Sequence, residues 1–178
     1  MAEPAVAISQ AVSPAQIRDV QDLFREYTDW AFTLTADLDD TPPTFEGFEA
    51  ELASLPGIYG PPTGRLMLAT VDGRPAGCIA LKSHDAATSE LKRLYVRPAF
   101  RGQAIGQKLV AALVTEASAE GYRRIVLDSH RAMTAAHRIY EAAGFRRVPA
   151  PADFPEQLKP IVVFMEMALD LRAPVVRP

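Results

Sequence analysis

Apolar positions along the chain change their period twice, and those changes divide it into elements. Ile17, Val20, Leu23, Phe24 and Tyr27 recur at steps of three and four, the spacing that keeps side chains on one face of a helix. Ser13-Pro14-Ala15-Gln16 stands in front of them. Ser can cap the helix, Pro suits a first position that needs no N–H, and Gln three residues on can bond back to the cap. This predicts a helix from Pro14 to about Trp30, behind a short strand over residues 5–8. Thr44 is a candidate cap for a second helix reaching Leu55, with Pro56-Gly57 as its stop.

The middle of the chain reads as strands. Residues 66–71 and 76–82 are apolar runs on either side of Asp72-Gly73, a pair suited to a tight hairpin turn. A third strand is expected over residues 90–96. There the apolar positions are Leu91, Leu94 and Val96, and the step of three breaks strict alternation. Either both faces are buried or a β-bulge lies near Lys92-Arg93. Helical spacing then returns over residues 103–120, followed by a strand at 124–128. A helix at 134–143 is closed by Gly144, and a last strand spans 161–169. The order predicts an α/β or α+β sheet with helices on both faces.

Composition narrows the class. At 178 residues with 48% hydrophobic and 23% charged positions, the chain is expected to form one globular domain over residues 1–178. Cys78 is the single cysteine, so an internal disulfide and a multi-cysteine metal site are excluded, and a buried structural thiol is expected. His84, His130 and His137 lack metal-ligand spacing; no metal is expected, and His130 and His137 read as surface or helix residues. No apolar run approaches the ~20 residues of a membrane helix. The opening Met1-Ala2-Glu3-Pro4 lacks a secretory basic region, so no membrane association and a cytoplasmic location are expected. The net charge is −3, which disfavours nucleic acid as a partner.

Against this acidic background, residues 91–115 hold Lys92, Arg93, Arg97, Arg101 and Lys108 and no Asp or Glu. Within the island an apolar strand passes through Pro98 into a glycine-bearing turn that opens onto a helix. Such a turn presents backbone N–H groups to phosphate. The motif G-x-x-x-x-G-K-[ST] is absent, and so is a G-x-G-x-x-G after the first strand, which excludes the nucleoside-triphosphate and dinucleotide loops.

Arg101-Gly102-Gln103-Ala104-Ile105-Gly106 resembles the R/Q-x-x-G-x-G/A loop of the GNAT superfamily of N-acetyltransferases, with Ala104 where the first glycine is usual. Leu94-Tyr95-Val96-Arg97-Pro98 is similar to the strand end before that loop. The run Ala136-His137-Arg138-Ile139-Tyr140-Glu141-Ala142-Ala143-Gly144-Phe145 is similar to the family's A-x-x-L-Y-x-x-x-G-F. The resemblance implies a mostly antiparallel sheet of six to seven strands and an acetyl-CoA co-substrate. It places the diphosphate at Arg101, Gly102, Gln103, Ala104, Ile105, Gly106 and Gln107. It also places the thioester beside the Leu94, Tyr95 and Val96 backbone.

By the same resemblance Tyr140 is the general acid and Glu90 the general base. Met133 stands where the family often has an Asn touching the pantetheine arm. Arg93 and Arg97 read as solvated charges, and Asp128 as a residue able to order a helix cap. Asp37, Asp39, Asp40, Trp30, Phe32, Phe45, Tyr59 and the loop 151–160 lie where the family builds its acceptor pocket. The implied reaction is acetyl transfer to a small-molecule or peptide primary amine by direct attack in a ternary complex. Alternatives are another acyl-CoA, a protein amine as acceptor, or an acyl-CoA sensor without turnover. Members often pair as homodimers, though no residue here demands it.

Overall fold

The computed structural model describes residues 4–36 and 47–169. Its elements are β1 (Val6–Gln10), α1 (Pro14–Thr35), α2 (Phe48–Ser54), β2 (Arg65–Val71), β3 (Arg74–Ser83), β4 (Thr88–Val96), α3 (Ile105–Ala119), β5 (Arg124–His130), α4 (Thr134–Ala143), β6 (Arg146–Val148) and β7 (Val162–Ala168). The strands form one sheet in the order β1-β2-β3-β4-β5-β7-β6. Every pair is antiparallel except β4 with β5. This is the mixed, mostly antiparallel α/β architecture that the sequence implied. The proposed cap at Thr44, together with Asp37, Asp39, Asp40 and Phe45, lies outside the described residues. No described helix is long and apolar enough to cross a membrane.

Local chemistry accounts for the boundaries. The Ser13 hydroxyl accepts the Gln16 N–H at 3.2 Å, and the Gln16 side chain accepts the Ser13 N–H at 3.0 Å, so the α1 capping box is complete. The helix passes Trp30 because Ala31 and Thr35 continue its buried face. At the β2–β3 hairpin Asp72 and Gly73 both take positive φ, 49° and 76°, as a tight turn of right-handed strands requires. The strand β6 is unanticipated. It is three residues long, its two arginines are exposed, and it lies at the sheet edge, so no alternation marks it.

Alternation in β2 and β3 divides the interior into two cores. Leu66, Leu68, Cys78 and Ala80 pack against Val20, Leu23, Phe24 and Leu52 on the α1/α2 face. Met67, Ala69, Ile79 and Leu81 pack against Leu109, Val110 and Leu113 on the α3 face. A sheet covered on both faces needs near-continuous apolar strands, which is how β2 and β3 read. Cys78 is fully buried in this core, and burial pushes its thiol pKa up.

Two departures from regular pairing shape the centre of the sheet. Tyr95 pairs with Cys78 and Lys92 with Ala80, so Ile79 faces both Arg93 and Leu94. This is the bulge that the Leu91/Leu94 step allowed, and Arg93 carries its positive φ of 59°. Lys92 and Arg93 therefore both project to the α1/α2 face, while Leu94 rejoins Leu91 on the other. The parallel pairing of β4 with β5 holds only for Thr88, Ser89 and Glu90 with Arg124, Ile125 and Val126. Beyond it β4 stays with β3 and β5 with β7, so a wedge opens between them.

Candidate active site

The α3 end of the wedge holds a cavity of about 390 Å³. It is lined by Leu94, Tyr95, Val96, Arg101, Gly102, Ala104, Ile105, Gly106 and Gln107, with Trp30, Ala136 and Ile139 opposite. Nine of the ten residues expected to hold the co-substrate are thus brought together; Gln103 does not line the cavity. Gly102 and Ala104 have φ of 81° and 57°, so the turn curls back on itself just before α3. The first turn of α3 has no side-chain cap and no acidic residue. Its leading N–H groups and the positive end of the helix dipole therefore meet the cavity uncompensated.

Backbone direction along β4 is set by two bonds. The Arg97 N–H reaches the Ala76 carbonyl at 2.9 Å, and Arg101 Nε donates to the Val96 carbonyl at 3.0 Å. Positions 97 and 95 thus turn toward β3, and positions 96 and 94 toward the wedge. Leu94 offers its amide to the open side. Tyr95 was expected to offer its own, but alternation commits that amide to the ladder. Arg101, expected at phosphate, is turned back over the Trp30 ring, 5.6 Å from its centroid.

A second cavity, about 290 Å³, adjoins the first and shares Trp30, Leu94 and Ala136 with it. Its walls include Tyr27, Lys92, Asp128, Met133 and Tyr140, and Phe154, Leu158 and Ile161 from the β6–β7 connection. Tyr140 is buried, its hydroxyl makes no hydrogen bond among the described residues, and its ring packs on Phe145 at 5.8 Å. Burial raises its pKa, and the charge fields of Tyr27 and Asp128 add to the effect. Its phenol therefore stays protonated at neutral pH, as a proton donor must.

Glu90 is not on the wall of this cavity. Its oxygens lie 3.0 Å from Lys82 Nζ and 2.8 Å from Lys92 Nζ. Burial opposes its ionisation, but the two lysines outweigh burial and hold its pKa below the ordinary value. The carboxylate that does face the cavity is Asp128, 2.8 Å from Lys92 Nζ. It had been read as a helix-cap residue. Instead Met133 occupies the α4 cap position, without a side-chain cap bond.

Several further expectations are corrected. Arg93 and Arg97 are not solvated charges. Arg93 bonds both oxygens of Glu51, at 3.1 and 2.5 Å, and lies over the rings of Phe24, Tyr27 and Phe48. Arg97 holds Glu26 and the Pro75 carbonyl. Of the two histidines read as surface or helix residues, His137 lies within α4 and both are buried. His137 Nε2 lies 3.1 Å from Ser129 Oγ, and burial lowers its pKa; His130 lines the second cavity. Tyr27 escaped notice because its spacing is that of a core helix residue. Its hydroxyl reaches Met133 Sδ at 3.9 Å across the wedge, a contact between positions 106 apart.

A family model described as the acetyltransferase (GNAT) family matches residues 19–145, well over half of the chain. The chain belongs to the GNAT family of acetyltransferases. An uncharacterized N-acetyltransferase of Schizosaccharomyces pombe is 33% identical over 143 residues, covering 79% of this chain and 83% of that protein. An N-acetylaspartate synthetase of Danio rerio is 34% identical over 106 residues, which is 58% of this chain; the match spans only 38% of the synthetase. Among solved structures, yncA of Salmonella typhimurium with its cofactor acetyl-CoA has a TM-score of 0.66 at 18% identity, covering 97% of this chain and 99% of its own. That likeness is one of fold. Membership makes the chain an N-acetyltransferase.

Proposed function

We propose that the chain works as a single catalytic domain that transfers an acetyl group from acetyl-CoA to a primary amine by direct attack in a ternary complex. The observation that carries the reading is the meeting of two cavities in the β4/β5 wedge. One offers uncapped helix amides, suited to a diphosphate, and the other a protonated phenol and a carboxylate. The relatives named for N-acetylaspartate support an amine as acceptor.

In this reading the α3 turn holds the diphosphate, and the open edge of β4 aligns the pantetheine arm. Acetyl-CoA supplies an activated carbonyl bonded to a good leaving thiolate. The amide at Leu94 faces the side where the carbonyl oxygen gains negative charge as the amine nitrogen bonds to carbon. Asp128 receives the incoming ammonium and takes its proton, directly or through water. Tyr140 gives its proton to sulfur as the C–S bond breaks. Glu90 then serves as a positioning residue, holding Lys92 and through it Asp128, in place of the base role that resemblance suggested.

The test is release of free CoA thiol from acetyl-CoA with a panel of primary amines, and mass spectrometry of the product. Acetylated amine is expected in amounts equal to the thiol. Tight CoA binding with no turnover on any amine or peptide would favour the sensor alternative. Asp128→Asn should lower kcat by about 10²-fold or more, as loss of a general base does, whereas Glu90→Gln should retain most of the rate; the reverse pattern returns the base role to Glu90.

A further inference from the structure

Four side chains on the α1/α2 face of the sheet form a row of alternating charge. Asp128 lies 2.8 Å from Lys92, Lys92 lies 2.8 Å from Glu90, and Glu90 lies 3.0 Å from Lys82. The two inner members have opposite charge on both sides. Each end has a single ion partner among the described residues. The ends are also the more exposed, at 43% for Asp128 and 31% for Lys82, against 26% and 14% for Lys92 and Glu90.

The two ends open into different cavities. Asp128 faces the cavity that holds Tyr140. Lys82 faces a third cavity of about 260 Å³, which shares Lys92 and Arg93 with the second and extends under α2 to Tyr59. The row is thus a dipole with its negative end in the reaction cavity and its positive end in the adjoining one. An ammonium group bound at Asp128 would draw on the charge that now balances Lys92. Two lysines would then face the single carboxylate of Glu90, leaving one positive charge uncompensated toward the third cavity. Arg93 does not change this balance, because Glu51 takes both arms of its guanidinium.

We propose that the acceptor is a zwitterion, an amine whose carboxylate lies several bonds away, with the ammonium at Asp128 and the carboxylate at the Lys82 end of the row. This acceptor class rests on the acetyl-transfer reading above. A monoamine satisfies one end of the row; an amino acid of suitable length satisfies both.

The experiment measures kcat/KM by thiol release for glycine, β-alanine, γ-aminobutyrate and ε-aminocaproate, each against its amide. The wild-type protein should prefer the acid over its amide by about tenfold at the best length, the order expected of one charge-assisted bond. Lys82→Met should bring that ratio close to one, and Lys82→Arg should restore it. Ratios near one across the wild-type series, or a ratio that Lys82→Met leaves intact, would overturn the proposal. Calorimetric binding of the same pairs to the CoA-loaded protein separates the two readings. Preferential binding of the acid without turnover would overturn acetyl transfer and retain the carboxylate subsite. Equal binding of acid and amide would overturn the subsite, whatever the turnover.

Discussion

Ala104 is the residue at which the phosphate-type turn departs from the family loop, and Ala104→Gly turns that departure into a measurement. Its backbone sits at φ 57° and ψ 20°, left-handed geometry that costs an L-residue roughly 1–2 kcal/mol. The methyl is exposed, so its removal forfeits no core burial. Glycine relieves the strain but adds freedom to the unfolded chain, which returns about 0.4–1 kcal/mol. The difference favours the glycine variant by roughly 0.5–1 kcal/mol, or about 1–4 °C in Tm for a chain of this size. Ala104→Val should move the other way by more than 1 kcal/mol, since a β-branched side chain tolerates left-handed backbone least. Scanning calorimetry on the three proteins, with denaturant midpoints as a second measure, reads both changes. A lower Tm for Ala104→Gly, or an unchanged one for Ala104→Val, would refute the assignment of strain to this turn.

Three further outcomes are expected. Tyr140→Phe should lower kcat by about 10²-fold or more, as loss of a general acid does, with a much smaller change in the acetyl-CoA dissociation constant; an unaltered kcat removes Tyr140 from the proton path. In Gly77→Ala the new Cβ would lie 2.6 Å from the Tyr95 carbonyl oxygen and 3.3 Å from Val96 Cα. Backbone must therefore shift along the edge that floors the first cavity, costing about 1–3 kcal/mol and raising KM for acetyl-CoA, both readable by melting and initial rates. Glu51 has its pKa lowered: burial opposes ionisation, but Arg93 and the Tyr59 hydroxyl outweigh it. A depressed carboxylate stabilises the fold above its unfolded pKa, near the ordinary 4.5, and that contribution is lost as pH falls through the folded value. Glu51→Gln should therefore cost about 3 kcal/mol at neutral pH and flatten the loss of stability below pH 4.5, measured by denaturant unfolding across pH.

The α1 capping box, the Asp72-Gly73 hairpin and the α3 and α4 helices could all be read from local spacing, while the step from Leu91 to Leu94 left a bulge at Lys92-Arg93 as one of two options. Each depends on contacts within a few residues or on a period that the core imposes. The Arg101–Gly106 turn and the run ending at Phe145 were legible for the same reason, since a loop that opens a helix carries its chemistry in consecutive positions. β6 was not legible, because an exposed three-residue edge strand has no apolar face to alternate.

The partnerships of the charged residues belong to the tertiary structure. Nothing near Glu90 in sequence says that Lys82 meets it directly and Asp128 through Lys92, or that Arg93 turns under α2 to Glu51. Those pairings arise because the bulge rotates two consecutive side chains to one face, and because β4 and β5 pair for only three residues before parting. Helical and strand periods report how a residue stands to its own element, so the sequence by itself determined the main helices and strands other than β6, and the helix-opening turn. Which carboxylate faces the cavity beside Tyr140 depends on register between strands distant in the chain, and only the tertiary structure decided that.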